Sequence, residues 1–141
     1  MRSILLIFSV GLCAGCAGVS GGAEPLPQAK KIKSISIEFN DRKLGDVEFT
    51  PTSADWTAIR AQMLPAKPDA MPSKWRWLGT VKMVQVDGKP FHVELYRTKQ
   101  GRGAFAAGKS YEERTYYRGG DDSGIVKALL AAYKKSKTKS E

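Results

Sequence analysis

Beyond residue 16 the chain has no cysteine; its two thiols, Cys13 and Cys16, stand together near the start. Removal of that opening segment would leave no internal disulfide, so the fold has to rest on burial alone. Histidine is nearly as scarce, with His92 the only one in 141 residues. One imidazole without a thiol beside it excludes the common strong zinc sites, and the sequence implies neither a metal nor a cofactor. No segment reaches ~18 uninterrupted apolar residues, so none reads as a membrane-spanning helix. Acidic side chains are in deficit, 14 against 23 lysines and arginines, for a net charge of +9.

What is present begins with MRSILLIFSVGLCAGC. Arg2 gives a short positive region, and Ile4 to Leu12 an apolar run of about nine residues, too short to span a bilayer and right for an export signal. Small residues, Ala14 and Gly15, precede Cys16. The ending Leu12-Cys13-Ala14-Gly15-Cys16 resembles the lipobox of bacterial lipoproteins, with Cys13 standing where that pattern prefers leucine or valine. The resemblance implies cleavage before Cys16 and acylation of its sulfur. With Ala17 rather than aspartate next, it also implies a lipid anchor in the outer membrane or on the periplasmic face. The alternative is an ordinary signal-peptidase cut, after Gly18 or Ala23, releasing a soluble periplasmic or secreted protein. Residues 1–15 are then the signal and residues 16–31 an acylated cysteine with a flexible tether rich in Gly, Pro and Ala. Residues 32–135 form one domain, and residues 136–141 a basic disordered tail.

The domain's about 100 residues suffice for one modest core. Ile35, Ile37 and Phe39 alternate with polar residues, as in a half-buried strand, and Leu44 to Thr50 returns beside it. Pro51-Thr52-Ser53 opens a helix that Thr52 or Ser53 caps, with Asp55 at its positive end and Trp56, Ile59 and Met63 as its buried stripe. Pro65 to Ser73 reads as a rigid proline loop. Trp75 to Val86 and Phe91 to Thr98 form a hairpin. A two-residue Asp-Gly turn would split the odd-numbered apolar set, Val81, Met83, Phe91, Val93 and Leu95, between two faces. A three-residue loop, Val86-Asp87-Gly88 with Gly88 left-handed, sets Met83 opposite Phe91 and Val81 opposite Val93. Ala104 to Ala107 reads as a short edge strand and Tyr111 to Arg118 as another strand. Gly119-Gly120-Asp121-Asp122 forms a break, and a last helix runs from Ser123 to about Lys135. The expected class is α+β, a small antiparallel sheet of about five to six strands with two helices packed on one face.

Gly103 to Ser110 matches the phosphate-loop pattern GxxxxGK[ST], which by likeness to P-loop nucleotidases would place Lys109 and Ser110 on phosphates and magnesium. The residues after Ser110 read as a strand, whereas that motif needs a helix there. Gly103, Gly108, Lys109 and Ser110 are therefore a chance match in a flexible glycine-rich connection. His92 shares a strand face with Glu94 and Tyr96. A hydrolase site there requires His92 in a pocket with an acid at hydrogen-bond distance. Asp121 and Asp122 suit a helix start. Trp75, Arg76, Trp77, Tyr116, Tyr117 and Arg118 interleave rings with cations, the chemistry of glycan or protein recognition. The lysines from Lys134 onward suit a helix C-terminus or contact with anionic lipid or cell-wall polymer.

The sequence therefore points to an envelope lipoprotein whose domain binds rather than catalyses. The expected partners are the membrane, through the lipid, and an envelope protein or glycan, with neither nucleic acid nor nucleotide among them. A hydrolase built around His92 and a purely structural envelope component are the alternatives.

Overall fold

A computed structural model describes residues 24–70 and 74–140, so the signal segment and Cys16 lie outside the described residues. A short 3-10 turn, Ala29–Lys31, leads into β1 (Ile32–Asp41), β2 (Gly45–Phe49), α1 (Ser53–Ala61) and β3 (Ala66–Pro68). β4 (Arg76–Gln85), β5 (Pro90–Arg97), β6 (Arg102–Gly108), β7 (Arg114–Asp121) and α2 (Asp122–Thr138) follow. The class is α+β. One seven-stranded sheet runs in the order β2-β1-β4-β5-β6-β7-β3, with every neighbouring pair antiparallel.

Both helices lie on one face. Trp56, Ile59 and Met63 from α1 and the turn after it, with Ile125, Leu129 and Ala132 from α2, close one core over the inward strand residues. Those residues include Ile37, Phe39, Val81, Val93, Leu95 and Phe105, all fully buried. Tyr133 of α2 stands edge-on to Phe39 and Phe49, with ring centroids 6.2 and 5.9 Å away.

The local rules hold where they were strongest. Thr52 caps α1: its hydroxyl accepts from the Asp55 N–H at 3.1 Å while the Asp55 carboxylate accepts from the Thr52 N–H at 3.1 Å, a capping box. Asp121 caps α2, its carboxylate accepting from the Gly124 N–H at 3.0 Å. The β4–β5 loop has three residues. Gln85 N–H donates to the Lys89 carbonyl at 2.9 Å, Met83 faces Phe91 and Val81 faces Val93. Gly88 takes the left-handed conformation, φ 85°, that closes such a loop with a bulge.

Five expectations are corrected. The proline loop contains β3, a seventh strand pairing with the end of β7 through Ala66 opposite Gly119; an edge strand tolerates Pro68 because half its amides need no partner. β6 is an interior strand between β5 and β7, not an edge and not a flexible connection. Gly119, Gly120 and Asp121 continue β7 instead of breaking it. α2 runs on to Thr138, which takes Ser136 to Thr138 out of the expected disordered tail. The stretch expected as tether packs well before residue 32. Leu26 is buried in the core, Trp56 Nε1 donates to the Pro27 carbonyl at 2.9 Å, and Arg60 Nε donates to the Leu26 carbonyl at 3.1 Å. Arg60 also pairs with Glu24.

Candidate functional site: the uncovered face of the sheet

Alternation along each strand sends half the side chains away from the helices. On that second face stand Ser36 and Glu38 of β1, Thr80 and Lys82 of β4, and His92, Glu94 and Tyr96 of β5. Ala104 and Ala106 of β6, with Arg114, Tyr116 and Arg118 of β7, complete it. Both helices pack against the opposite face.

A bulge in β4 decides what this face offers. The register shifts between Trp77 and Gly79, so two residues of β4 oppose one step of β5. Without it Trp77 would share the covered face with Val81 and Met83. With it, Leu78 is buried under the helices and Trp77 turns outward opposite Tyr96, 41% exposed. Trp75 follows it, packing at 5.5 Å from the Tyr96 ring and 6.0 Å, edge-on, from Tyr116. The Arg118 guanidinium lies 5.5 Å from the Trp75 ring and pairs with Asp69. Of the six residues expected to form a surface, Trp75, Trp77, Tyr116 and Arg118 thus come together. Tyr117 does not: it opposes Phe105 and stacks on it at 5.2 Å, on the covered face. Arg76 alternates away from Trp77 and stands opposite Arg97.

Beneath the aromatic rim runs a buried polar chain. Trp77 Nε1 donates to Thr80 Oγ1 at 3.1 Å, Thr80 donates to Glu94 Oε2 at 3.0 Å, and His92 Nε2 lies 2.7 Å from Glu94 Oε1. Glu94 is only 6% exposed, and Thr80 and His92 each hold one of its two oxygens. His92 is accordingly neither exposed nor alone, and Tyr111 stands edge-on to it at 6.1 Å. Sequence alternation placed His92 and Glu94 on one face and the β4–β5 register sets Thr80 opposite Glu94, but Trp77 joined them only through the bulge. Burial of the Tyr96 hydroxyl raises its pKa above the usual tyrosine value. Burial disfavours the Arg114 charge, but the Tyr111 carbonyl at 2.8 Å and the Tyr116 hydroxyl at 3.1 Å outweigh that and raise its pKa. The Arg114 guanidinium also lies 3.6 Å from the Tyr111 ring centre.

The phosphate-loop match has a structural explanation. Gly103 to Gly108 are strand residues whose backbone pairs with β5 and β7, which leaves no free amides to cradle a phosphate. A Cβ at Gly108 would stand 1.8 Å from the Glu113 carbonyl oxygen, so the glycine serves close strand approach. Lys109 and Ser110 open the β6–β7 loop, and no helix follows them.

Among the described residues no cluster of three or more His, Cys, Asp or Glu is placed to hold a metal ion, and no helix is long and apolar enough to cross a membrane. Comparison with protein-family models, with curated proteins and with solved structures finds no match for this chain.

Proposed function

We propose that this is an envelope-tethered binding domain, held through an acylated Cys16, whose partner docks on the uncovered face of the sheet. One observation supports this most. The chain spends a bulge on turning Trp77 outward, beside Trp75, Tyr116 and Arg118, while the opposite face is closed by two helices. Exposed rings held in place by a hydrogen bond and by neighbouring rings are the usual anchors of recognition surfaces. The partner expected at such a location is an envelope protein or a glycan. Pull-down from envelope extract with the acylated chain, compared with Trp77→Ala and Tyr116→Ala, tests the reading. Specific capture by the parent chain that both variants lose is the expected result; equal capture by all three sinks it. Intact-mass measurement tests the anchor, since a mature chain without an acyl addition rules it out.

A second reading rests on the His92–Glu94 contact of 2.7 Å, the arrangement that holds an imidazole as a general base. Nothing among the described residues supplies a nucleophile hydrogen-bonded to His92, and the Ser110 hydroxyl accepts from the Glu113 N–H at 3.1 Å. Turnover of ester or glycoside substrates, abolished by His92→Gln, would establish the hydrolase and displace the binding reading.

A further inference from the structure

The end of the domain where the chain enters carries a second surface. β4 ends there, β5 begins there, and the β6–β7 loop arches beside them. A groove of about 530 Å³ runs across this end of the uncovered face. It is lined by Val84, Phe91, Tyr111, His92, Lys82 and Lys109, together with serines and further apolar residues, and by no acidic side chain. Two of its apolar lining residues face solvent, Val84 at 37% and Tyr111 at 57% exposed, and Val86 at the hairpin tip just beyond them is 64% exposed. Val86 N–H donates to the Lys31 carbonyl at 2.9 Å, tying the hairpin tip to the entering chain, where Lys31 and Lys33 are exposed. Acidic groups nearby are Glu48, which accepts from the lining Ser36 hydroxyl at 3.0 Å, the buried Glu94, 2.7 Å from His92, Asp87, 4.0 Å from Lys89, and Glu112 and Glu113 in the loop.

We propose that this end of the domain rests on an anionic lipid surface, the valines and Tyr111 entering the interface and Lys82 and Lys109 meeting headgroup phosphates. The inference rests on the anchored reading for its geometry. Cys16 lies eight residues before Glu24, a reach of at most about 28 Å when fully extended. Glu24 in turn lines a depression together with Lys31, Gln85 and Phe91 at this same end. An acyl chain on Cys16 therefore tethers the domain at this end, the one away from Trp75 and Trp77. Apolar residues ringed by lysines are the chemistry that a leaflet of anionic phospholipid recognises.

The test uses the chain from residue 17, without acyl group, which retains the whole core from Leu26 to Ala132. Its sedimentation with vesicles of phosphatidylglycerol and phosphatidylcholine is compared with phosphatidylcholine alone. Binding to the anionic vesicles only is expected. Lys82→Gln with Lys109→Gln weakens it about fivefold per lysine, roughly 25-fold together. Val84→Ser with Val86→Ser weakens it by about tenfold, and circular dichroism shows each variant folded. Absence of binding, or equal binding to both vesicles, overturns the proposal. Displacement by inorganic phosphate at matched ionic strength reassigns the groove to a free anion and also overturns it. So does loss on lysine replacement with no effect of the valines, which marks a polyanion site. Trp77→Ala and Tyr116→Ala leave vesicle binding unchanged, so failure here is separable from failure of the partner-docking reading, which those two variants test.

Discussion

The two faces of this sheet are built from the same strands in alternation, yet they solve different problems. The covered face is apolar without exception at its centre: Phe39, Val81, Leu95 and Phe105 meet Trp56, Ile59 and Leu129, and shape complementarity is its only demand. The uncovered face has small residues at its centre, Ala104 and Ala106, fully buried beneath larger neighbours, and a ring of tryptophan, tyrosine, histidine and arginine around them. Its order comes from hydrogen bonds and ring contacts as much as from burial. One face therefore carries stability, and the other spends some of it on keeping polar and aromatic groups in fixed positions.

The sharpest break between the faces is a tryptophan on each. Trp56→Ala removes a fully buried indole from the core and should cost about 3–5 kcal/mol, a large share of the stability of a domain this size. Trp77→Ala on the uncovered face should cost about 1 kcal/mol, the worth of one hydrogen bond and some contact. Urea denaturation of the two variants measures the ratio. Equal losses would mean that both faces are core and that a described surface is missing its cover.

The buried polar chain gives the next effect. Thr80→Val keeps the shape but leaves Glu94 Oε2 and Trp77 Nε1 without their partner. The expected loss is about 1–3 kcal/mol, set by the unsatisfied groups and not by volume. A double variant that also carries Glu94→Gln should lose less than the sum of the singles, because the strained partner goes with it.

These contrasts mark what the sequence makes legible. Elements fixed by neighbours in the chain were readable: the Thr52 cap, the stripe of Trp56, Ile59 and Met63, and the three-residue loop at Gly88, whose length follows from the parity of Val81 and Phe91. Features that depend on one irregular residue or on distant pairing were not. β3 has three residues and no apolar period, and it is a strand only because β7 runs beside it from Tyr117 to Gly119. The glycines at 119 and 120, which read as a stop, let that strand pass close to the end of α1. The bulge beside Gly79 breaks the alternation between Trp77 and Val81, so the ring-and-cation pattern marks Trp77 as a surface residue while its strand parity does not. The His92–Glu94 pair was half visible, since i and i+2 share a strand face, while its continuation to Thr80 waits on the β4–β5 register.

A smaller effect tests what holds the cover in place. Thr52→Ala breaks the capping box of α1 and should cost about 1 kcal/mol. The far side of the same box responds to pH. Burial opposes ionisation of Asp55, but hydrogen bonds from the Thr52 side chain and backbone and from Lys135, 3.3 Å away, outweigh it and hold the carboxyl below its ordinary value. A carboxyl depressed in the folded state binds protons more readily when unfolded. Its stabilisation is therefore complete above the ordinary carboxylate range and disappears as the pH falls through the lower, folded value. Asp121, held down by Ser123 and the Gly124 amide, acts in the same direction at α2. Asp122 acts in the opposite sense, because burial raises its carboxyl and its neighbour Asp121 adds to that. Stability measured by urea midpoint should fall on acidification from neutral, and Asp55→Asn should flatten the lowest part of that fall while lowering the neutral plateau. Lys135→Met should remove less of the slope than Asp55→Asn, because the lysine is solvent-exposed and the Thr52 bonds remain. If both variants keep the parent slope, the clamp between α1 and α2 contributes nothing, and the covered face is held by apolar contact alone.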